Sequence, residues 1–169
     1  MHKRGRRYGD GVSAGPQRAI RQLVVEALYE SETSRHEASA VLDRRLHETA
    51  DEEPALAEPK LQRRAQRMLA GVIECRDEAD TYIGEAATQY PVETLAVVDR
   101  NILRLAIWEL LSDNSAPVAA VVNEAVELAH RYGGESSPGF VNGVLRTVSQ
   151  RIKASRVATQ APPESQPQT

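Results

Sequence analysis

Residues 98–111 read VDRNILRLAIWELL, residues 117–135 PVAAVVNEAVELAHRYGGE and residues 140–145 FVNGVL, and this stretch decides the fold class. In the first segment Ile102, Leu103, Leu105, Ala106, Ile107, Trp108, Leu110 and Leu111 cover nearly the whole circumference of a helix. A helix apolar on all sides must be covered on all sides, so it is expected at the centre of the molecule. Pro117 opens the next segment, where Val118, Val121, Val122, Ala125, Leu128, Ala129 and Tyr132 recur in a single stripe. Gly133 and Gly134 are expected to stop that helix in the left-handed conformation that glycine adopts freely. Ser137 reads as the cap and Pro138 as the first turn of a last helix, with Val141, Val144, Leu145, Val148 and Ile152 on its buried side.

Upstream the same helical period continues. Pro16 suits a first helical position, and Ile20, Leu23, Val24, Ala27 and Leu28 follow at i, i+3, i+4, i+7 and i+8. Val41, Leu42, Leu46 and Thr49 mark a weaker helix, ending before DEEPALAEP (51–59), which with two prolines and four acids reads as an exposed loop. Leu61, Ala65, Met68, Leu69, Val72 and Ile73 mark the next helix; Ala79, Tyr82, Ile83 and Ala86 either continue it or form a separate one, and Pro91 marks a break. No segment alternates as a strand would, and aromatic residues make up only 4% of the chain, so the class is all-α. One helical domain is expected over residues 16–153, as two small bundles packed together with subdomains of about 16–90 and 91–153. Residues 1–15 and 154–169, rich in Gly and basic residues or in Pro, Gln, Ser and Thr, are expected to be disordered tails.

The 169 residues carry a net charge of only −3, but the charge is unevenly placed. Lys3, Arg4, Arg6, Arg7, Arg18 and Arg21 face only Asp10 in the first 21 residues, a balance of +5. A basic end on an acidic body favours a localised contact with a polyanion and leaves the body for a basic protein. The single cysteine, Cys75, rules out an intramolecular disulfide and reads as a small core side chain in a reducing compartment. Neither a signal peptide nor an apolar run of membrane-spanning length is present, and a cytoplasmic location is expected.

Enzyme chemistry finds no support. There is no glycine-rich phosphate loop after a strand, no nucleophile elbow and no Cys/His cluster with metal spacing, so neither a cofactor nor a metal is expected. His36 and His47 fall near one helix face but lack a carboxylate or cysteine beside them, while Glu124 and Glu127 read as a solvated face. The basic arm is different: a guanidinium offers five donors in a planar fork that matches phosphate and stacks on unpaired bases. Arg18 and Arg21, three apart, project from one face beside the cluster Lys3, Arg4, Arg6 and Arg7. A merely solubilising tail is the bland alternative.

QRAIRQLVVEALYESE (17–32), LQRRAQRMLAGV (61–72), YPVETLAVVDRNILRLAIWELL (90–111), VNEAVELAHRYGG (122–134) and FVNGVL (140–145) together resemble the NusB family of bacterial transcription antitermination factors, over about residues 17–152. The resemblance implies two helical bundles side by side and an RNA-binding adaptor. Such a factor pairs with the ribosomal protein NusE, recognises the boxA element of nascent RNA and serves ribosomal RNA synthesis in the antitermination complex with RNA polymerase. On the matched positions Arg18 and Arg21 would contact RNA phosphates and Phe140 would stack near the RNA path, while Tyr29 and Asp99 would meet the ribosomal partner. Asn123 and Asn142 match family asparagines and are expected in buried hydrogen bonds between helices.

The structural competitors are Tyr29 over the core edge, Asp99 as a helix N-terminal charge and Phe140 as a core side chain. Pro16, Gln17 and Ala19 stand where relatives often carry arginines, and Gly139 where many carry a basic residue, so either RNA affinity is weaker or upstream Lys3, Arg4, Arg6 and Arg7 supply the missing charge. A second reading is a protein-interaction module, or homodimer, with little RNA affinity of its own. A third, the NusB-like domain joined to some ribosomal RNA methyltransferases, is disfavoured because no methyltransferase domain follows.

Overall fold

Pro16 takes the first position of a helix, where its missing N–H leaves nothing unpaired, and from there the described residues are helical wherever they are regular. The computed structural model describes residues 15–112 and 116–162. Seven α-helices follow in order among them: α1 Pro16–Ser34, α2 Ala38–Thr49, α3 Pro59–Glu74, α4 Arg76–Ala86, α5 Val97–Leu111, α6 Val118–Tyr132 and α7 Ser137–Gln160, with short 3-10 turns at Pro54–Ala57 and Val92–Thr94. Arg35, at φ 57°, ends α1 in the left-handed conformation, and the Glu37 carboxylate caps α2 by accepting from the Ser39 and Ala40 N–H groups.

The expected centre is the observed one: α5 packs against α1, α3, α4, α6 and α7. Enclosure on all sides also takes in its polar residues. Asn101, Arg104 and Glu109 are buried with their apolar neighbours, and each makes a hydrogen bond, as most buried polar groups do, though the Asn101 Oδ1 has no partner among the described residues. Asn101 donates to the Val97 carbonyl at 3.0 Å. Arg104 grips Asp80 of α4 with two bonds, 2.7 and 2.8 Å, and Glu32 of α1 at 2.9 Å.

The apolar stripes read from α1 and α7 lie inside, but several expectations change. Asn123 is exposed and Asn142 only half-buried; among the described residues the fully buried asparagine is Asn101, on the enclosed helix. The 51–59 loop is pinned by Leu56, which is 0% exposed, a burial worth roughly 1.5–3 kcal/mol. α3 and α4 are separate helices that meet at Cys75, a partly buried thiol whose pKa burial pushes up. Ala79 and Ile83 carry α4 onto α5 and α7, so in packing α4 belongs with the second half of the chain. α7 continues past Ala154 to Gln160, where Arg156 donates to the Leu110 and Leu111 carbonyls that α5 leaves open at its end.

Two glycines are needed for close approach. Gly133 is extended rather than left-handed, at φ −88° and ψ 179°. A Cβ there would lie 2.5 Å from the Ser137 side chain, so glycine lets α7 turn back tightly onto α6. On α3, a Cβ at Gly71 would lie 2.1 Å from the Trp108 indole nitrogen. Gly71→Ala is expected to destabilise the protein by about 1–3 kcal/mol, the usual range for overpacking, with a shift in tryptophan fluorescence; chemical denaturation followed by that fluorescence checks it, and an unshifted midpoint would refute the close contact.

Candidate nucleic-acid and partner interface

The two arginines proposed from the start of α1 have different surroundings. Arg18 reaches α6 and forms a bidentate pair with Glu124, 2.9 and 2.8 Å, with 35% of its side chain exposed. The guanidinium holds the Glu124 carboxyl below its usual range. Glu124 is thus a specific partner and not simply part of a solvated face. Arg21 binds Glu109 of α5 through bonds of 2.6, 3.0 and 3.1 Å, and the side chains are only 12% and 3% exposed. Lys3, Arg4, Arg6 and Arg7 lie outside the described residues.

Tyr29 is 47% exposed on α1. It lines a cleft of about 530 Å³ with Val25, Glu26 and Arg45 on one side and residues 96–98 at the start of α5 on another. Tyr132 closes the cleft from α6, its hydroxyl donating to Glu26 at 2.7 Å; burial first, and then that carboxylate, push its pKa to about 12. The walls are mostly apolar with an exposed aromatic at the rim, a form suited to receiving a protein side chain.

Asp99 follows in the first turn of α5, where its charge complements the helix dipole. Its Oδ2 accepts from the Ser137 hydroxyl at 3.0 Å, while its buried Oδ1 has no hydrogen-bond partner in the described structure. Ser137 is therefore not the expected cap; it is the first residue of α7 and ties that helix to α5. Phe140, one turn further and half-buried against the core, belongs by this tie to the Asp99 end of the molecule. Two partners escaped the sequence reading, Glu109 and Glu124. Glu109 had left a signal, as a lone acid amid the apolar residues of α5, which needs a cation wherever it is buried.

Among the described residues no three His, Cys, Asp or Glu side chains converge on a metal-sized space, and no helix is long and apolar enough to cross a membrane. His36 instead contacts Glu30, which also binds Arg44 and Arg45 of α2.

A helical bundle built round one enclosed helix, with a basic first turn and an aromatic-rimmed cleft beside the start of that helix, defines the class. The model of the NusB family matches residues 18–150. Over 138 residues the chain is 40% identical to the transcription antitermination protein NusB of Dehalococcoides mccartyi (strain ATCC BAA-2266 / KCTC 15142 / 195), covering 80% of this chain and 90% of the relative. The solved structure of T. maritima NusB superposes with a TM-score of 0.72 at 34% identity, over 82% of this chain and 93% of that one. A chain in the crystal structure of antitermination factors NusB and NusE in complex with dsRNA shares the fold, with a TM-score of 0.67 at 22% identity over 82% and 99% of the two chains. The chain belongs to the NusB family of transcription antitermination proteins.

Proposed function

We propose that this chain binds boxA-type single-stranded RNA of nascent ribosomal RNA transcripts together with the ribosomal protein NusE, as a cytoplasmic part of the antitermination complex with RNA polymerase. The observation that carries the reading is the arrangement of α1, which presents Arg18, about a third exposed, near its start and Tyr29 on the cleft toward its other end. Arg18 meets RNA phosphate, assisted by Lys3, Arg4, Arg6 and Arg7 ahead of it, with Phe140 along the path. Leaving the part-buried Glu124 pair, 35% and 23% exposed, costs Arg18 less than leaving Glu109 would cost Arg21, whose pair is 12% and 3% exposed. Arg21, held by Glu109, positions the helix that carries Arg18. The NusE side is Tyr29, exposed at the rim of the cleft, and Asp99, half-buried at the start of α5.

The electrostatic part is tested by salt titration. Each phosphate contact on a single strand contributes about −0.7 to the logarithmic salt slope, so Arg18→Ala should shallow it by roughly that amount. Removing residues 1–15 should shallow it further. Equal slopes in all three proteins would place the RNA elsewhere on the surface.

A further inference from the structure

Most arginines described in this chain are matched with an acid or a carbonyl, as Arg18, Arg21, Arg45, Arg100, Arg104 and Arg156 illustrate. One face of α3 departs from this habit. Lys60, Arg63, Arg64 and Arg67 are all exposed, and none makes a salt bridge among the described residues. Their spacing, i, i+3, i+4 and i+7, puts them on one side of the helix, while Ala65, Met68, Leu69 and Val72 take the opposite side into the core. Like charges so placed repel one another, and none of the four is paired with an acid among the described residues. We infer that this stripe is a second RNA-backbone site, which extends the strand held at the start of α1; the inference rests on the RNA-binding reading above.

Three features favour an RNA strand. Three of the four cations are arginines, whose fork suits phosphate oxygens. The charges fall on successive helical turns about 5.4 Å apart, so the stripe offers a ladder roughly 10 Å long rather than a single point. Its direction also fits. Gly71, one turn beyond Arg67, backs onto Trp108, the neighbour of the Glu109 that holds Arg21. The C-terminal end of the stripe therefore leads toward the corner where α1 begins, and a strand crossing that corner has a basic track ahead of it.

The test compares two RNAs that share a boxA-like segment, one of about 12 and one of about 24 nucleotides, the shorter sized for a single site. Both are titrated into the full chain with saturating NusE, using wild type and the variant K60Q/R63Q/R64Q/R67Q, whose fold is verified by circular dichroism. In wild type the longer RNA should bind about 10-fold more tightly or better, because its second contact is intramolecular. The variant should lose that advantage and shallow the salt slope for the longer RNA by roughly 2 to 3, with the shorter RNA unaffected. Tight binding of the shorter RNA with no added affinity for the longer, or a variant that behaves as wild type, overturns the stripe and leaves the α1 site standing. Failure of wild type to bind the shorter RNA removes the α1 reading and the stripe with it. Binding to phosphatidylserine vesicles that the variant loses while its RNA affinities stay unchanged assigns the stripe to a membrane surface and overturns it as an RNA site.

Discussion

Arg21→Ala and Glu109→Gln are each expected to lower the unfolding free energy by about 3–5 kcal/mol, whereas Arg18→Ala, three residues away, should lower it by only about 1–2 kcal/mol. The difference comes from solvent. The Arg21 and Glu109 side chains are 12% and 3% exposed, so removing one charge leaves the other buried without its counterion. Arg18 keeps water on about a third of its surface. Since buried pairs are often replaceable by apolar groups of similar volume, the double variant R21M/E109L should recover much of the loss. Urea unfolding of the four variants checks the set. Wild-type stability in Arg21→Ala, coupled with weaker RNA binding, would contradict the structural role and make Arg21 a phosphate contact.

Asp99→Asn is expected to weaken association with NusE by about 2–5 kcal/mol, the range for losing a desolvated charged contact. The substitution is nearly isosteric, and its carbonyl oxygen can still accept from Ser137, the bond that joins α5 to α7. Stability should therefore change little. Calorimetric titration with NusE, set beside thermal unfolding of the free chain, separates the two roles. Unchanged affinity with a lowered melting temperature would show that Asp99 serves only the start of α5.

The fold was legible because helical period and burial coincide in this chain. Residues 98–111 could only be central, and the α1 and α7 stripes had no second interpretation. What periodicity missed were polar groups whose partners lie far along the chain: Arg21 with Glu109 and Arg18 with Glu124 are separated by 88 and 106 residues. Local rules placed the stop at Gly133 correctly but misread its conformation. Turn chemistry asks for a positive φ, while the actual constraint is the approach of Ser137. The end of α7 was misjudged for a similar reason, since composition after Ala154 looks unstructured and the Arg156 contact with the end of α5 is tertiary. Of the candidate site, the sequence singled out Arg18, Tyr29 and Asp99, but the cleft that joins α1 to the start of α5 is visible only in the fold.

The central claim is that the chain is an adaptor whose RNA affinity depends on its protein partner. Titrating boxA-like RNA into the full chain with and without saturating NusE tests it most directly. A typical coupling of about 1–3 kcal/mol predicts RNA binding tighter by about 5- to 150-fold with the partner present, and linkage requires RNA to tighten the NusE contact by the same factor. Equal RNA affinities in the two titrations would contradict the account.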